Sequence, residues 1–426
     1  MSKKNLWDNF LRKKNNKKFL YKKIIKNYLQ LDRKYKFNQE INTRFILKQI
    51  SNIKKKNKLN FLPVGIKDNI NTEILSTNFG LKSKKKFMIG NNARVVDKLV
   101  DLGGIIFSKT TCAEFAVHDL KKKFNINPHD SNHIAGTSST GSAISVATGA
   151  LPITIGTQTA GSIMRPSSYC GVYGFKPTFG SIDRTGVLKT NDLFDTIGLL
   201  SSSINLLELV FKNIHINGTN YPWTQNYKTQ YHKYKNKKKI KIGIINEELN
   251  IFKKATQDVK QFYNNFKIKL KNFDLSIVDV SNLNKFHRLH DVLYKKSVSY
   301  YLKNYTSSAK VVGPKLKRMI LEGKKVSTKN YNTKLDQLNN LINLETIKLT
   351  KYDFIIVPTT FSKAPLHNKN EKDDCCLIWT ALKLPCITIP FFKKNEKLPY
   401  GMMITSRMYN DYALLDFAKK ISAISF

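Results

Sequence analysis

Apolar residues near the start of the chain recur at the spacing of an amphipathic helix. One face of this pattern carries Phe19, Leu20, Ile24, Ile25, Tyr28 and Leu29. Residues 41–50 give a second, shorter run of the same kind. Because apolar positions three or four apart share one helix face, residues 1–55 are predicted to form helices packed on the flank of the remaining chain. A basic helix lying on a membrane surface is the alternative, and the modest apolar stripe argues against it.

From residue 56 onward, short apolar runs alternate with helical patterns, which indicates an α/β fold. The pattern predicts strands leading into Lys67 and over residues 105–107, 151–155, 240–245, 353–359, 384–390 and 398–404, and helices over residues 91–102, 141–149, 253–273 and 330–349. Residues 221–239 are polar and rich in lysine, with no apolar period, and are predicted to form a surface connection. There is no internal repeat.

Composition narrows the class of protein. The chain of 426 residues is long enough for one large α/β domain or two ordinary ones with a sizeable core. Its residues are 41% hydrophobic and 24% charged, which is typical of a globular protein. No run approaches the roughly 20 apolar residues of a spanning helix. The first residues are polar and lysine-rich, so no secretory signal is visible and a cytoplasmic location is expected.

Neither cysteines nor histidines suggest a metal site. The five cysteines form no C-x-x-C pair, which is typical of free thiols in a reducing compartment. His287 and His290 are three residues apart, but no third ligand is suggested nearby. The sequence therefore predicts no bound metal.

The net charge of +43 leaves two interpretations open. A nucleic-acid-binding protein would carry such an excess, because phosphate contacts reward positive charge. The basic residues, however, are spread along the whole chain in runs of two or three, and lysine greatly outnumbers arginine. We therefore favour compositional drift on solvated faces over a dedicated RNA surface, with salt-sensitive adhesion to polyanions as its consequence.

Two clusters of glycine and hydroxyl residues, around Ser138 and around Ser162, flank the short predicted helix and strand between residues 141 and 155. Small side chains let backbone N–H groups approach a ligand closely. Serines on such turns beside strand ends are where nucleophiles and oxyanion holes are commonly built. Ordinary turns and helix caps have the same composition, so spacing alone does not decide between them.

A lysine upstream completes the candidate set. Lys67 follows the apolar run 62–66, and a strand there would carry it into the interior. Desolvation lowers the pKa of a lysine toward the range of a general base.

Taken together, these segments resemble the amidase signature family of serine hydrolases. The matching residues are Gly136, Ser138, Ser139, Gly141 and Ser142, then Gly156, Thr157, Gln158, Thr159, Gly161 and Ser162, then Pro166, Cys170, Gly171, Gly174, Lys176 and Pro177. Residues 62–69, L-P-V-G-I-K-D-N, resemble the family's lysine element. The resemblance implies an α/β amidase signature fold, with a mixed twisted central sheet covered by helices on both faces, over a catalytic domain of residues 56–426.

The resemblance also implies a mechanism. Ser162 would be the nucleophile, Ser138 would relay its proton to a neutral Lys67, and the peptide bond between Thr137 and Ser138 would be cis. The oxyanion hole would use backbone N–H groups of Thr159, Ala160, Gly161 and Ser162. No metal or cofactor is implied. The substrate would be a small-molecule amide, and no membrane partner is expected. Whether the chain forms a homodimer is left open.

Three positions depart from the family pattern. Ala160 stands where many members have glycine, which matters only if that position needs a positive φ. Gln158 replaces the commoner Asp, and Met164 replaces the commoner Arg. Because those two charges pair in many members, we interpret their joint loss as a compensated variant in which Arg165 is shifted along by one position.

Two other functions compete with a stand-alone amidase. The first is the glutaminase A subunit of a glutamyl- or aspartyl-tRNA amidotransferase, which works with partner subunits and tRNA. Asp373 lies roughly where that subunit's amine-binding Asp falls. The helical stretch 330–349 contains no arginine for a glutamine carboxylate, which favours the stand-alone amidase. The second is an inactive binding protein with the same fold, against which the retention of Lys67, Ser138 and Ser162 argues.

Overall fold

The computed structural model describes residues 7, 17–53, 58–81, 90–117, 125–216, 226–245, 252–278, 283–305, 312–369, 371 and 374–424. Within these residues the strands are β1 Asn38–Glu40, β2 Pro63–Lys67, β3 Ile105–Thr110, β4 Ile153–Gln158, β5 Tyr173–Lys176, β6 Thr196–Ser201, β7 Lys241–Ile245, β8 Asp274–Val278, β9 Phe354–Pro358, β10 Cys386–Phe391 and β11 Tyr400–Ser406. The helices are α1 Lys17–Tyr35, α2 Thr43–Asn52, α3 Arg94–Asp101, α4 Thr140–Ala147, α5 Met164–Cys170, α6 Ile204–Ile214, α7 Asn226–Lys235, α8 Gln257–Lys269, α9 Leu283–Tyr301, α10 Pro314–Lys324, α11 Thr328–Leu349, α12 Cys376–Ala381 and α13 Asp411–Ile421.

All eleven strands join one mixed sheet in the order β1-β3-β2-β4-β6-β5-β10-β11-β9-β7-β8. The pairs β3–β2, β2–β4, β9–β7 and β7–β8 are parallel, and the remaining pairs are antiparallel. The central strands are buried on both faces, and β2, β3, β4, β6, β9 and β11 are buried at every position. Strands that are buried along their whole length are typical of a sheet covered by helices on both sides. The α/β fold class predicted from the sequence is confirmed.

The N-terminal helices belong to the main core. Tyr21 and Tyr28 of α1 are fully buried, and Ile46 of α2 packs in the same apolar cluster as the central strands. The Tyr28 hydroxyl donates to Ser108 Oγ of β3 at 2.7 Å. This segment also contains β1, which the apolar pattern did not predict and which pairs with β3. Its boundary at residue 55 stays a prediction.

The surface connection predicted over residues 221–239 is wrong in part. Residues 226–235 form α7, and its Tyr227 and Tyr234 are buried. Aromatic side chains spaced by lysines give this helix a packed face, although its overall composition is polar. Residues 221–225 lie outside the described part of the chain. The predicted helix over residues 253–273 is shorter, since α8 covers Gln257–Lys269.

Lys67 and the turn that carries Ser162 lie at the carboxyl ends of two neighbouring strands inside the sheet. Strands β2 and β4 are parallel neighbours, with Ile66 opposite Ile155. Because the carboxyl ends of parallel neighbours lie side by side, Lys67 at the end of β2 comes next to the end of β4. Across the described part of the chain, no helix combines the length and apolarity needed to cross a bilayer.

Candidate active site

Lys67 is a fully buried lysine at the end of β2. Its Nζ lies 2.8 Å from Ser138 Oγ, 2.8 Å from Thr157 Oγ1 and 3.2 Å from the Thr157 carbonyl oxygen. Thr157 Oγ1 also accepts a hydrogen bond from Asn69 Nδ2 at 2.9 Å. The amino group is therefore surrounded by neutral oxygens, and no carboxylate of the described residues is hydrogen-bonded to it.

Burial lowers the pKa of Lys67 from its ordinary value of 10.5 to about 8, although electrostatic interactions with Cys112 and Asp195 act in the opposite direction. The cause is the loss of water around the ammonium form, which neutral oxygens replace only in part. A pKa near 8 leaves a substantial neutral fraction at physiological pH, so this lysine can accept a proton.

Ser138 is held just before α4. The Thr137–Ser138 peptide bond is cis, as the resemblance predicted. The Ser138 carbonyl accepts from the Ala113 amide at 3.2 Å. Gly141, in the first turn of α4, packs against the residues just after β3 and just before β1: a Cβ at this position would lie 2.3 Å from Thr111 Oγ1 and 2.4 Å from the Phe37 carbonyl oxygen. The glycine of the motif therefore permits a close approach that brings Ser138 to Lys67.

Ser162 lies on the turn between β4 and α5 and is 8% exposed, whereas Lys67 and Ser138 are fully buried. The Ser162 carbonyl oxygen accepts from the Ser139 amide at 3.2 Å, which ties the two serine clusters together. Of the three candidate side chains, Ser162 is thus the one nearest to solvent. A substrate would reach it first.

The turn formed by Thr159, Ala160, Gly161 and Ser162 carries the four backbone amides named as oxyanion-hole donors. Within the described residues, no hydrogen bond uses these four amides as donors. Ala160 does not adopt a positive φ. Alanine in place of the family's usual glycine therefore introduces no backbone strain.

The side chain of Gln158 is hydrogen-bonded both to the start of α5 and to α12. Its Oε1 accepts from the amides of Ile163 and Met164 at 2.8 and 3.0 Å, and its Nε2 donates to Thr380 Oγ1 at 2.9 Å. The side chain thus satisfies two free N–H groups at the start of α5. Met164 is fully buried, and its sulfur accepts from Thr388 Oγ1 at 3.2 Å. Neither substitution leaves an unpaired charge.

Arg165, the arginine shifted along by one position, pairs with two carboxylates that are distant in sequence. Its Nε lies 2.9 Å from Asp374 Oδ2 and 3.4 Å from Glu371 Oε2. The side chains of Arg165, Asp374 and Glu371 are 14%, 3% and 7% exposed. This ion cluster joins α5 to the segment before α12, more than 200 residues away in sequence. Asp373, proposed above as an amine-binding residue, lies outside the described residues.

Thr159, at the beginning of this turn, is held by hydrogen bonding to Asp195. The Thr159 hydroxyl donates to Asp195 Oδ1 at 2.6 Å. Asp195 also accepts from the amides of Thr190 and Asn191 at 2.8 and 2.9 Å. Burial raises the pKa of Asp195, while these hydrogen bonds act against the rise. The backbone of the same residue also has a partner, since His290 Nε2 of α9 lies 3.4 Å from the Thr159 carbonyl oxygen.

Several of these residues were missed by sequence reasoning. Thr157 and Asn69 stood inside quoted motifs without a role, and His290 was considered only as a metal ligand. No local signal separates them from neighbouring residues, because their roles depend on distant partners. Within the described residues, no group of three or more His, Cys, Asp or Glu side chains could hold a metal ion.

The chain is similar to known proteins over most of its length. A family model described as Amidase matches residues 23–415. The A subunit of the Glutamyl-tRNA(Gln) amidotransferase of Endomicrobium trichonymphae is 27% identical over an alignment of 452 positions, gaps included, and the alignment covers 95% of this chain and 93% of that protein. The chain spans nearly the whole length of this relative.

Two solved structures share the fold. One, described in work on a vestigial protein complex and the origins of an s-triazine catabolic enzyme, has a TM-score of 0.86 at 18% identity and covers 100% of this chain and 99% of that chain. Another, described as an amidase, has a TM-score of 0.79 at 20% identity and covers 92% of this chain and 94% of that chain. At these identities, the likeness establishes the fold alone.

Proposed function

The chain belongs to the amidase family, and from that premise we propose that it hydrolyses the C–N bond of a carboxamide to a carboxylate and ammonia or an amine. Ser162 Oγ attacks the carbonyl carbon of the substrate. Its proton passes to Ser138 Oγ, and the proton of Ser138 passes to the neutral amino group of Lys67. The product of this step is an acyl-enzyme on Ser162, which water then hydrolyses.

The observation that carries the proposal is the contact between Lys67 and Ser138. A general base must lie within hydrogen-bond reach of the proton that it accepts and must be unprotonated near the working pH. The 2.8 Å separation of Lys67 Nζ and Ser138 Oγ satisfies the first condition. The pKa of about 8 that burial gives Lys67 satisfies the second.

As the amine leaves, the proton on Lys67 returns to it through Ser138. The negative charge on the carbonyl oxygen is stabilised by the amides of Thr159, Ala160, Gly161 and Ser162. A single such donor is worth about 3 kcal/mol of the activation free energy in well-studied hydrolases. That these amides make no other hydrogen bond among the described residues supports this role.

Replacement of Ser162 by alanine tests the proposal directly. The substrate panel contains glutamine, short aliphatic amides, aryl amides and urea derivatives, with ammonia release followed for the purified chain. Ser162→Ala should abolish turnover with a nearly unchanged thermal midpoint, whereas the exposed Ser51→Ala should match the unaltered protein. Hydrolysis that persists in Ser162→Ala would contradict the assignment and indicate a nucleophile elsewhere in the chain.

A second candidate is the glutaminase A subunit of a glutamyl- or aspartyl-tRNA amidotransferase. The similarity to such a protein over 95% of the chain favours it. Against it, α11 contains no arginine that could bind the carboxylate of glutamine. A stand-alone amidase would need no partner, whereas the amidotransferase component would act with partner subunits and tRNA.

The same panel separates the two candidates. Ammonia release from a simple amide but not from glutamine, by the chain alone, would support the stand-alone amidase. Glutamine as the only substrate, or no turnover until a co-purified partner is added, would support the amidotransferase. The oligomeric state, including a homodimer, follows from light scattering on the same sample.

A further inference from the structure

His290 lies in α9, whose inner side faces the candidate active site. Asn191 Nδ2 donates to Ser297 Oγ at 2.9 Å and so docks α9 on the segment that leads to β6. His290 is 7% exposed, and its ring contacts Phe194 and Tyr294 at centroid distances of 4.7 and 5.2 Å. Both rings lie within about 32° of parallel to the imidazole, which fixes the direction in which its nitrogens point.

The partner of His290 is the carbonyl oxygen of Thr159, 3.4 Å from Nε2. A carbonyl oxygen can only accept, so Nε2 must carry the hydrogen in this contact. Burial lowers the pKa of His290 to about 4, so the ring is neutral in the physiological range. A neutral histidine with hydrogen on Nε2 is therefore a fixed donor rather than a titrating group.

The geometry of the peptide bond links this contact to catalysis. The Thr159 carbonyl and the Ala160 N–H belong to the same peptide plane, and the Thr159–Ala160 bond is trans. In a trans peptide the two groups point in opposite directions. When α9 draws the Thr159 carbonyl toward itself, the Ala160 N–H must point away from α9. The Thr159 hydroxyl, bound to Asp195, holds the same residue from a second direction.

We propose that His290 is a positioning residue that orients the Ala160 amide of the oxyanion hole through the Thr159 carbonyl. This inference rests on the proposed function, because it concerns the same Ser162 chemistry. His290 touches neither the nucleophile nor the substrate in this role. Its contact with the Thr159 carbonyl prevents a rotation of the Thr159–Ala160 peptide plane. That rotation would point the Ala160 amide away from the developing negative charge.

The test uses a fluorophosphonate, which needs no knowledge of the natural substrate. In the labelling reaction a bond forms between Ser162 Oγ and phosphorus, the phosphorus–fluorine bond breaks, and fluoride leaves with the electron pair. The serine proton passes to Ser138 and Lys67. The phosphoryl oxygen occupies the oxyanion hole, so the rate of labelling, followed by mass spectrometry of the intact protein, reports on the donors there.

Two matched variants separate positioning from packing. His290→Phe keeps an aromatic ring between Phe194 and Tyr294 but lacks the donor, and labelling should slow about tenfold. His290→Gln places an amide N–H near the position of Nε2, and labelling should stay within about threefold of the unaltered protein. For any amide that the chain hydrolyses, His290→Phe should lower kcat with KM nearly unchanged.

Three outcomes would contradict the proposed role of His290. Equal labelling rates in the unaltered protein, His290→Phe and His290→Gln would overturn the positioning role. A loss in His290→Phe that follows a matching fall in thermal midpoint would also overturn it, because packing would then account for the effect. If the unaltered protein is not labelled at Ser162 at all, the proposed function fails, and this inference fails with it.

Discussion

Thr157 offers two acceptors to the amino group of Lys67, its Oγ1 at 2.8 Å and its carbonyl oxygen at 3.2 Å. A neutral lysine has two N–H bonds and one lone pair. If both N–H bonds point to Thr157, the lone pair is left for the hydroxyl of Ser138, which lies 2.8 Å away. After proton transfer the third N–H points to Ser138, so the same arrangement serves both protonation states.

Loss of the Thr157 hydroxyl should therefore impair catalysis without removing any proposed catalytic group. Thr157→Val keeps the shape of the side chain and deletes one acceptor. We expect kcat to fall by roughly tenfold to a hundredfold, within the range that general-base catalysis contributes. Thr157→Ser retains the hydroxyl and is the matched control. Equal rates for the two variants would show that the hydroxyl does not orient the lysine.

The pH dependence of turnover should follow the base form of Lys67. Because its pKa is lowered to about 8, the neutral form increases as the pH rises. We expect kcat/KM to rise about tenfold per pH unit below pH 8 and to level off above it. Lys67→Arg, which stays protonated, should be inactive at every pH. A profile that is flat between pH 6 and 9 would contradict the role of Lys67.

Arg165 should contribute strongly to the stability of the fold. Arg165→Met removes the cation beside Asp374 and Glu371, whose side chains are 3% and 7% exposed, and so takes a charge partner from two buried carboxylates. Breaking such a pair typically costs about 3–5 kcal/mol in the free energy of unfolding. Arg165→Lys keeps the charge and should cost less. Urea denaturation measures both, and an equal cost for the two variants would assign the effect to side-chain shape rather than charge.

Gly141 should not tolerate a side chain. Gly141→Ala would place a methyl group 2.3 Å from Thr111 Oγ1 and 2.4 Å from the Phe37 carbonyl oxygen. Moving α4 away should cost about 3 kcal/mol and separate Ser138 from Lys67. Gly90→Ala, at an exposed position where the added methyl group would have no atom within 4 Å other than those of its chain neighbours, is the control and should change stability by less than about 0.5 kcal/mol. A folded, fully active Gly141→Ala protein would contradict this packing argument.

Local sequence predicted the elements around the site well. The strand into Lys67 and the short helix after Ser138 were expected from apolar runs and glycine positions, and both are present as β2 and α4. The helix α7 was missed, because its buried tyrosines are separated by lysines that hide the pattern. The apolar period did not predict β1 either, since its three residues are polar and only their pairing with β3 makes them a strand.

The sequence by itself determined the α/β class, the family and the three candidate side chains Lys67, Ser138 and Ser162, because small residues, glycines and strand ends are local features of the chain. Only the tertiary structure decided that Thr157 faces the amino group of Lys67 and that His290 faces Thr159. It also decided that Arg165 pairs with Asp374. These partners are separated by up to 209 residues. Which of them meet depends on how helices and strands pack, since burial and distance set both the pKa of a group and the partner that satisfies it.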